Sequence, residues 1–195
     1  TQCYNCTTVN TTTYLLVYGT NYCSAECPPG QFANATSWKC LLCDANCLTC
    51  VGTSTHCLSC GFSSIGASLY LYANGCLLSC PNGYFPNTTT NVCDACHAGC
   101  ALCYGATSSQ CTACRTANIS NVTTPFYKEV GSDSCSEACP SGQLISGTKA
   151  NSCSQCDPGC ASCYGLSTNC SVGDCNAGYF YHEVNSSCLV GCPDN

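Results

Sequence analysis

The sequence predicts a small disulfide-rich fold: a linear tandem array of cysteine-rich modules, mostly irregular with short β-ribbons, drawn out as an elongated rod. Three observations carry that prediction. Cysteine supplies 28 of the 195 residues, a density that marks a disulfide scaffold. Six cysteines recur at nearly one spacing three times, and recurrence of this kind is the signature of units that stack along a line. No amphipathic 3.6-residue period survives ten residues, so helix has no support. The β-branched and aromatic runs are short and closed by turn residues.

Taken in order, residues 1–39 read as a partial unit. Cys3 and Cys6 are followed at a distance by Cys23 and Cys27, and the Thr-rich stretch 7–18 reads as a strand with a turn near Gly19. Residues 40–92 form a full unit and residues 93–152 another. Residues 153–195 form the last, truncated one. The stretch from Cys93 to Cys114 defines the pattern, C-x2-C-x3-C-x2-C-x7-C-x2-C. The copy from Cys40 shortens the long gap to six residues, and the copy from Cys153 opens its last pair, Cys170 and Cys175, to a four-residue gap. Each unit closes on C-x3-C-P, which runs on into Gly30, Gly83 and Gly142 in the first three. Proline presets φ near −65° and glycine two residues later accepts a positive φ, so Cys-Pro-x-Gly is a turn with a mechanism. The apolar residues behind it, such as Tyr84 and Phe85, start a short strand. Tyr179 and Phe180 after Gly178 do the same. Tyr104 and Tyr164, each followed by glycine, read as lids over the bridge clusters.

An even count of cysteines at this density persists only where thiols are oxidised. The chain is therefore expected to be extracellular, secreted or on a cell surface. With no Met and a start at Thr1, a leader peptide is read as already removed. No apolar run approaches the ~18–20 residues of a membrane span, so no span is expected in this chain. Apolar residues are 45% of the total only because cysteine is counted. What remains is too little for one large core, so bridges and a few aromatic contacts must hold each module. Only 7% of residues are charged, and N-linked glycans are the expected source of hydration. Asn-x-Ser/Thr acceptors stand at Asn5, Asn10, Asn34, Asn87, Asn118, Asn121, Asn169 and Asn185. A net charge of −6 argues against nucleic acid as a partner.

At this level the pattern, C-x2-C-x3-C-x2-C-x6/7-C-x2-C with C-x3-C-P-x-G, resembles the furin-like cysteine-rich repeat. That repeat occurs in growth-factor-receptor ectodomains, proprotein convertases and many protist surface proteins, and the resemblance covers essentially the whole chain. Low charge and abundant Thr, Ser, Asn and Gly look most like a ciliate surface glycoprotein of the immobilisation-antigen kind. Spacing alone leaves the pairing open; the resemblance implies one. Within a unit of eight, second pairs with fourth, third with fifth, sixth with seventh, and eighth with the first of the next unit. Carried over, this implies Cys43–Cys50, Cys47–Cys57, Cys60–Cys76 and Cys80–Cys93. It further implies Cys96–Cys103, Cys100–Cys111, Cys114–Cys135 and Cys139–Cys153, then Cys156–Cys163, Cys160–Cys170 and Cys175–Cys188. In the partial unit it implies Cys6–Cys23 and Cys27–Cys40. Two of the 28 cysteines are left over, Cys3 and Cys192. In a rod they lie too far apart for a bridge, so they are candidates for an intersubunit disulfide. That would make the chain its own partner in a head-to-tail homopolymer, unless both cysteines pair within a longer array.

Other chemistry finds little footing. Paired C-x2-C steps resemble zinc sites and thiol-oxidoreductase steps, but the unit has neither a finger spacing nor a βαβ context. His56, His97 and His182 fall in different units and read as turn residues. The ten acidic residues are scattered singly, which suggests no calcium loop. Trp38, the single tryptophan, is expected to pack against a bridge. No catalytic constellation stands out, so neither enzymatic activity nor a cofactor is expected. The functional expectation is a structural extracellular glycoprotein, a disulfide-stapled rod serving as a cell-surface coat or filament subunit. The alternative is a receptor-type spacer or ligand-binding module, for which Arg115, the sole arginine, would be a meagre hot spot.

Overall fold

The structure is a computed structural model that describes residues 6, 8–9, 12–116 and 125–191. The chain divides into two compact units, Thr1–Pro81 with Pro86–Asp94, and Asn82–Phe85 with Ala95–Asn195. Among the described residues there is no helix, as the lack of a 3.6-residue period requires. Short β-ribbons and bridges recur in repeated small units.

The first strands are β1 (Thr8–Val9), β2 (Thr12–Thr13), β3 (Leu15–Leu16), β4 (Cys23–Ser24), β5 (Gln31–Asn34) and β6 (Lys39–Leu42). The Thr-rich stretch expected to be one strand is three. β1 pairs antiparallel with β2, Thr8 opposite Thr13 and Val9 opposite Thr12, so the chain reverses inside the run. Gly19 does take a positive φ, +74°, at the turn between β3 and β4. The hairpins β3/β4 and β5/β6 lie side by side in the order β4-β3-β6-β5, joined by a parallel contact of Leu16 with Lys39.

The next repeat opens with the hairpin of β7 (Cys47–Cys50) and β8 (Cys57–Cys60), followed by β9 (Tyr70–Tyr72), β10 (Gly75–Leu77), β11 (Tyr84–Asn87) and β12 (Val92–Ala95). The last four take the order β10-β9-β12-β11, again with a parallel contact, Leu71 with Val92. The pattern returns in β13 (Cys100–Cys103) with β14 (Cys111–Cys114), β15 (Tyr127–Lys128) with β16 (Cys135–Ser136), and β17 (Gln143–Ile145) with β18 (Cys153–Gln155). Its parallel contact is the single bridge of Lys128 with Ser152. The final repeat reduces the bulged hairpin to isolated pairs, Cys160 with Cys175 and Cys163 with Cys170, and ends on β19 (Phe180–His182) with β20 (Ser187–Leu189).

The C-x2-C step poses a geometric problem. In a regular strand side chains alternate, so cysteines three apart point to opposite faces. The register of β7 on β8 shifts on either side of Thr49, and that of β13 on β14 shifts on either side of Leu102. Such bulges re-aim side chains. With them Cys47, Cys50, Cys57 and Cys60 are all buried, while Leu48 and Leu58 between them face outward.

Among the described residues the core is four separate clusters, two in each compact unit. Leu15, Val17 and Cys40 form the first, and Phe32 with Cys47, Cys50 and Cys57 the second. The other two are Cys96, Cys100, Cys111 and Cys135 with Phe126 against them, and Cys156, Cys160, Cys170 and Cys188 with Leu144 and Tyr179. Cysteine sulfur replaces the branched aliphatics of an ordinary interior. Phe32 and Leu144, each two residues past a Cys-Pro-x-Gly turn, cover the bridges of the following repeat.

Candidate functional site

The feature with chemistry in it is the bridge lattice. The first compact unit contains Cys6–Cys23, Cys27–Cys40, Cys43–Cys50, Cys47–Cys57, Cys60–Cys76 and Cys80–Cys93. The second contains Cys96–Cys103, Cys100–Cys111, Cys114–Cys135, Cys139–Cys153, Cys156–Cys163, Cys160–Cys170 and Cys175–Cys188. Cα separations run from 5.1 to 5.8 Å, inside the range a disulfide accepts. Cys3 and Cys192 lie outside the described residues.

Each joint between repeats is built the same way. The glycine of the Cys-Pro-x-Gly turn has φ of +80° at Gly30, +85° at Gly83 and +79° at Gly142. The N–H of Gln31 donates to the Pro28 carbonyl at 3.1 Å and that of Gln143 to the Pro140 carbonyl at 3.0 Å. This is a turn whose third residue must have positive φ. The freed glycine carbonyl then accepts from the second cysteine of the next repeat. Cys43 donates to Gly30 at 2.9 Å, Cys96 to Gly83 at 2.8 Å and Cys156 to Gly142 at 2.9 Å. The bridges Cys27–Cys40 and Cys139–Cys153 tie the first and third of these joints covalently.

A second recurring contact fixes paired hairpins. Trp38, Asn91 and Asn151 share φ of 53–54°. Their carbonyls accept from Leu16 at 3.0 Å, Leu71 at 2.8 Å and Lys128 at 2.9 Å. Asparagine tolerates this left-handed conformation; a bulky aromatic there is strained. Trp38 is 50% exposed, so the expected packing against a bridge is not its main role. Its backbone carbonyl holds β3 instead. Tyr104 and Tyr164 also differ from the expected lids. Both are half exposed, and their hydroxyls reach the next hairpin, Asp133 at 3.3 Å and Ser186 at 3.4 Å.

Around Asp133 lies a small polar network. Lys128 Nζ donates to Asp133 Oδ1 at 2.7 Å and to the Cys111 carbonyl at 2.6 Å. Hydrogen bonding and attraction from Lys128 hold the Asp133 carboxyl below the usual carboxylate range. Desolvation, then the neighbouring Asp133 charge, pushes the Tyr104 hydroxyl up. The N–H of Cys111 donates to the Asp133 carbonyl at 2.8 Å, so the network braces the turn that carries it.

The remaining sequence-derived candidates are scattered. His56 is exposed, and His97 Nδ1 accepts from the Gly99 N–H at 3.2 Å. His182 Nδ1 is buried without a hydrogen-bond partner. Asn34 and Asn87 begin equivalent hairpin loops. Asn34 Oδ1 accepts from Thr36 and Ser37, and Asn87 Oδ1 from Thr89 and Thr90. Asn87 Nδ2 donates to Asp94 at 2.7 Å. Asn185 is exposed, and Asn169 is half-buried beside the fully buried Cys170. Asn5, Asn10, Asn118 and Asn121 lie outside the described residues. Arg115 Nε donates to the Cys100 carbonyl at 3.1 Å, at the edge of a groove of about 470 Å³ lined also by Gly83, Tyr84 and Leu102. Sequence reasoning missed this groove, because it needs the Gly83 turn and the β13/β14 hairpin in contact.

No protein-family model matches the chain. It is similar to cysteine repeat modular protein 2 of Tetrahymena thermophila, 27% identical over 176 residues, which is 88% of this chain and 9% of that protein. It is 33% identical over 206 residues to cysteine repeat modular protein 1 of the same ciliate, 92% of this chain and 8% of that one. Furin-like protease 2 of Drosophila melanogaster is 27% identical over 184 residues, 85% of this chain and 10% of the protease. The chain spans about a tenth of the length of these relatives. Its class is a tandem array of disulfide-rich modules of the kind found in furin-like and extracellular proteins. The bridge lattice and these homologues together fit a furin-like cysteine-rich repeat protein. Among the described residues, no helix is long and apolar enough to cross a membrane.

Proposed function

We propose that this chain is a non-catalytic structural segment of an extracellular glycoprotein, a stiff rod of stapled modules that serves as a cell-surface coat or filament subunit. The observation that carries the reading is the threefold joint. At the two that lie inside a compact unit, Gly30 with Cys27–Cys40 and Gly142 with Cys139–Cys153, a bridge and a glycine-carbonyl hydrogen bond act together, which restricts rotation between the repeats they join. Each bridge contributes ~2–4 kcal/mol by limiting the unfolded chain, so an array of small cores can resist proteolysis. The test is small-angle scattering of the deglycosylated monomer. A rod gives a radius of gyration well above the ~16 Å of a compact globule of this length, and a value near 16 Å defeats the reading. Glycosidase treatment should lower the apparent mass by several kilodaltons if the acceptor asparagines carry glycans.

The filament form of this reading assigns Cys192 of one subunit to Cys3 of the next. Non-reducing electrophoresis should then show a ladder of multiples that collapses on reduction, whereas a lone monomer band excludes it. The groove beside Arg115 favours a second reading, a receptor-type module. That reading requires a soluble ligand whose saturable binding is lost in Arg115→Ala.

A further inference from the structure

In the hairpin β7/β8 the cysteines that face each other are not the ones that are bridged. Cys47 faces Cys60 and Cys50 faces Cys57, yet the bridges are Cys47–Cys57 and Cys60–Cys76. Facing residues of an antiparallel pair have Cα atoms ~4.5–5.5 Å apart, a separation that a bridge spans. The complementary pair is also close, since the Cys76 Sγ lies within 4.8 Å of both sulfurs of Cys47–Cys57. The last repeat repeats the arrangement. Cys160 faces Cys175, the bridges are Cys160–Cys170 and Cys175–Cys188, and the Cys188 Sγ lies within 4.8 Å of the sulfurs of Cys160 and Cys170. The middle repeat shares the facing but not the threefold sulfur cluster. Cys100 faces Cys114, but among the described residues Cys135 joins no such sulfur cluster with Cys100 and Cys111.

We propose that repeats 40–92 and 153–195 each hold a thiol-exchange site at which an external monothiol switches two bridges between interchangeable pairings. The native pairing is Cys47–Cys57 with Cys60–Cys76, and the alternative is Cys47–Cys60 with Cys57–Cys76. In the last repeat the alternative is Cys160–Cys175 with Cys170–Cys188. Cys76 and Cys175 are the half-buried ends of their bridges, whereas Cys60 and Cys188 are buried, so an incoming thiolate attacks the half-buried sulfurs.

In the first site the external thiolate bonds to Cys76 Sγ, and the Cys60–Cys76 bond breaks to leave Cys60 as thiolate. Cys60 attacks the facing Cys47 Sγ, forming Cys47–Cys60 and releasing Cys57 as thiolate. Cys57 attacks the mixed disulfide at Cys76, forming Cys57–Cys76 and returning the external thiolate. Two bridges break and two form with no net oxidation or reduction, so the monothiol is a catalyst. In the last repeat attack at Cys175 releases Cys188, which opens Cys160–Cys170 at Cys170. The freed Cys160 then resolves the mixed disulfide on the facing Cys175. Both pairings keep the cysteine-paired segment tied to the hairpin that follows it.

The test treats the intact oxidised protein with 2-mercaptoethanol and no denaturant, quenches with acid, digests with pepsin and maps the bridges by mass spectrometry. The expected products are Cys47–Cys60 with Cys57–Cys76 and Cys160–Cys175 with Cys170–Cys188, at least tenfold above any exchange of Cys100–Cys111 with Cys114–Cys135. Native pairs alone in all three repeats overturn the proposal, and so does scrambling of the middle repeat at the same rate. A second readout uses Cys60→Ser and Cys114→Ser, alkylated under native conditions. The proposal expects label shared between Cys76 and Cys47 in the first variant and confined to Cys135 in the second. Label on Cys76 alone in Cys60→Ser refutes it. Mapping of the unmutated protein decides the matter should either variant fail to fold.

Discussion

Removing the Cys27–Cys40 bridge is the cleanest perturbation the lattice offers. Its sequence separation is 13 residues, and no other bridge starts or ends inside that loop. The chain-entropy relation then puts the loss at about 3 kcal/mol at 25 °C. Alanine is the substitution to use, because Cys40 is only 1% exposed and serine would bury a hydroxyl at a further cost of about 1–3 kcal/mol. Trp38 sits two residues before Cys40 and is the only tryptophan, so its fluorescence reports opening of this hairpin alone. Urea titration of Cys27→Ala/Cys40→Ala should show the local unfolding free energy reduced by about 3 kcal/mol, with the serine pair lower still. A loss below about 1 kcal/mol would refute the reasoning. It would mean that the β5/β6 hydrogen bonds and the packing of Leu15 and Val17 hold the hairpin unaided.

Three further outcomes follow from named contacts. A Cβ on Gly99 would stand 2.7 Å from the Phe126 ring; Gly99→Ala should cost about 1–3 kcal/mol, seen as a lower thermal midpoint. Gly142→Ala meets only ordinary contacts, Gln155 Nε2 at 3.6 Å and the Ala161 carbonyl at 3.9 Å, but must hold φ of +79°; hydrogen exchange at the Cys156 amide should quicken by an amount matching about 1–2 kcal/mol. The folded Asp133 carboxyl titrates below the usual carboxylate range because of Lys128. The stabilisation from this tie is therefore present above the ordinary carboxylate pKa and lost as pH falls through the lowered one. A carbonyl-carbon NMR titration should place its midpoint below that of an unperturbed aspartate, and Lys128→Ala should bring it back up.

The fold class was legible because cysteine density and spacing survive without any knowledge of packing. A chain with so few aliphatics can fold in few other ways. Strand detail was less legible. The 7–18 run has strand composition throughout, and pairing of Thr8 with Thr13 depends on a reversal that composition does not record. The C-x2-C steps announced bridges but concealed the bulges at Thr49 and Leu102 that turn both cysteines inward. Trp38 looked like a packing residue because tryptophan usually is one. Its placement follows from a left-handed position whose counterparts hold asparagine, a correspondence visible only once the hairpins are superimposed by their hydrogen bonds. The facing of Cys47 with Cys60 was hidden for the same reason, since register is not written in spacing.

The bridges that close each cysteine-paired segment onto the hairpin after it span 16, 21 and 13 residues, yet their Cα separation is 5.6 Å in all three repeats. An interior of half-cystines asks for two sulfurs at a fixed distance and little else. An aliphatic core, by contrast, must conserve volume and shape across many partners. Evolution can therefore lengthen the loops, recolour the outward faces and shift the acceptor asparagines while the interior stays as it is. A lineage built this way can diverge quickly at its surface without refolding, and identities of 27–33% to ciliate and insect homologues over most of the chain are what such latitude leaves behind.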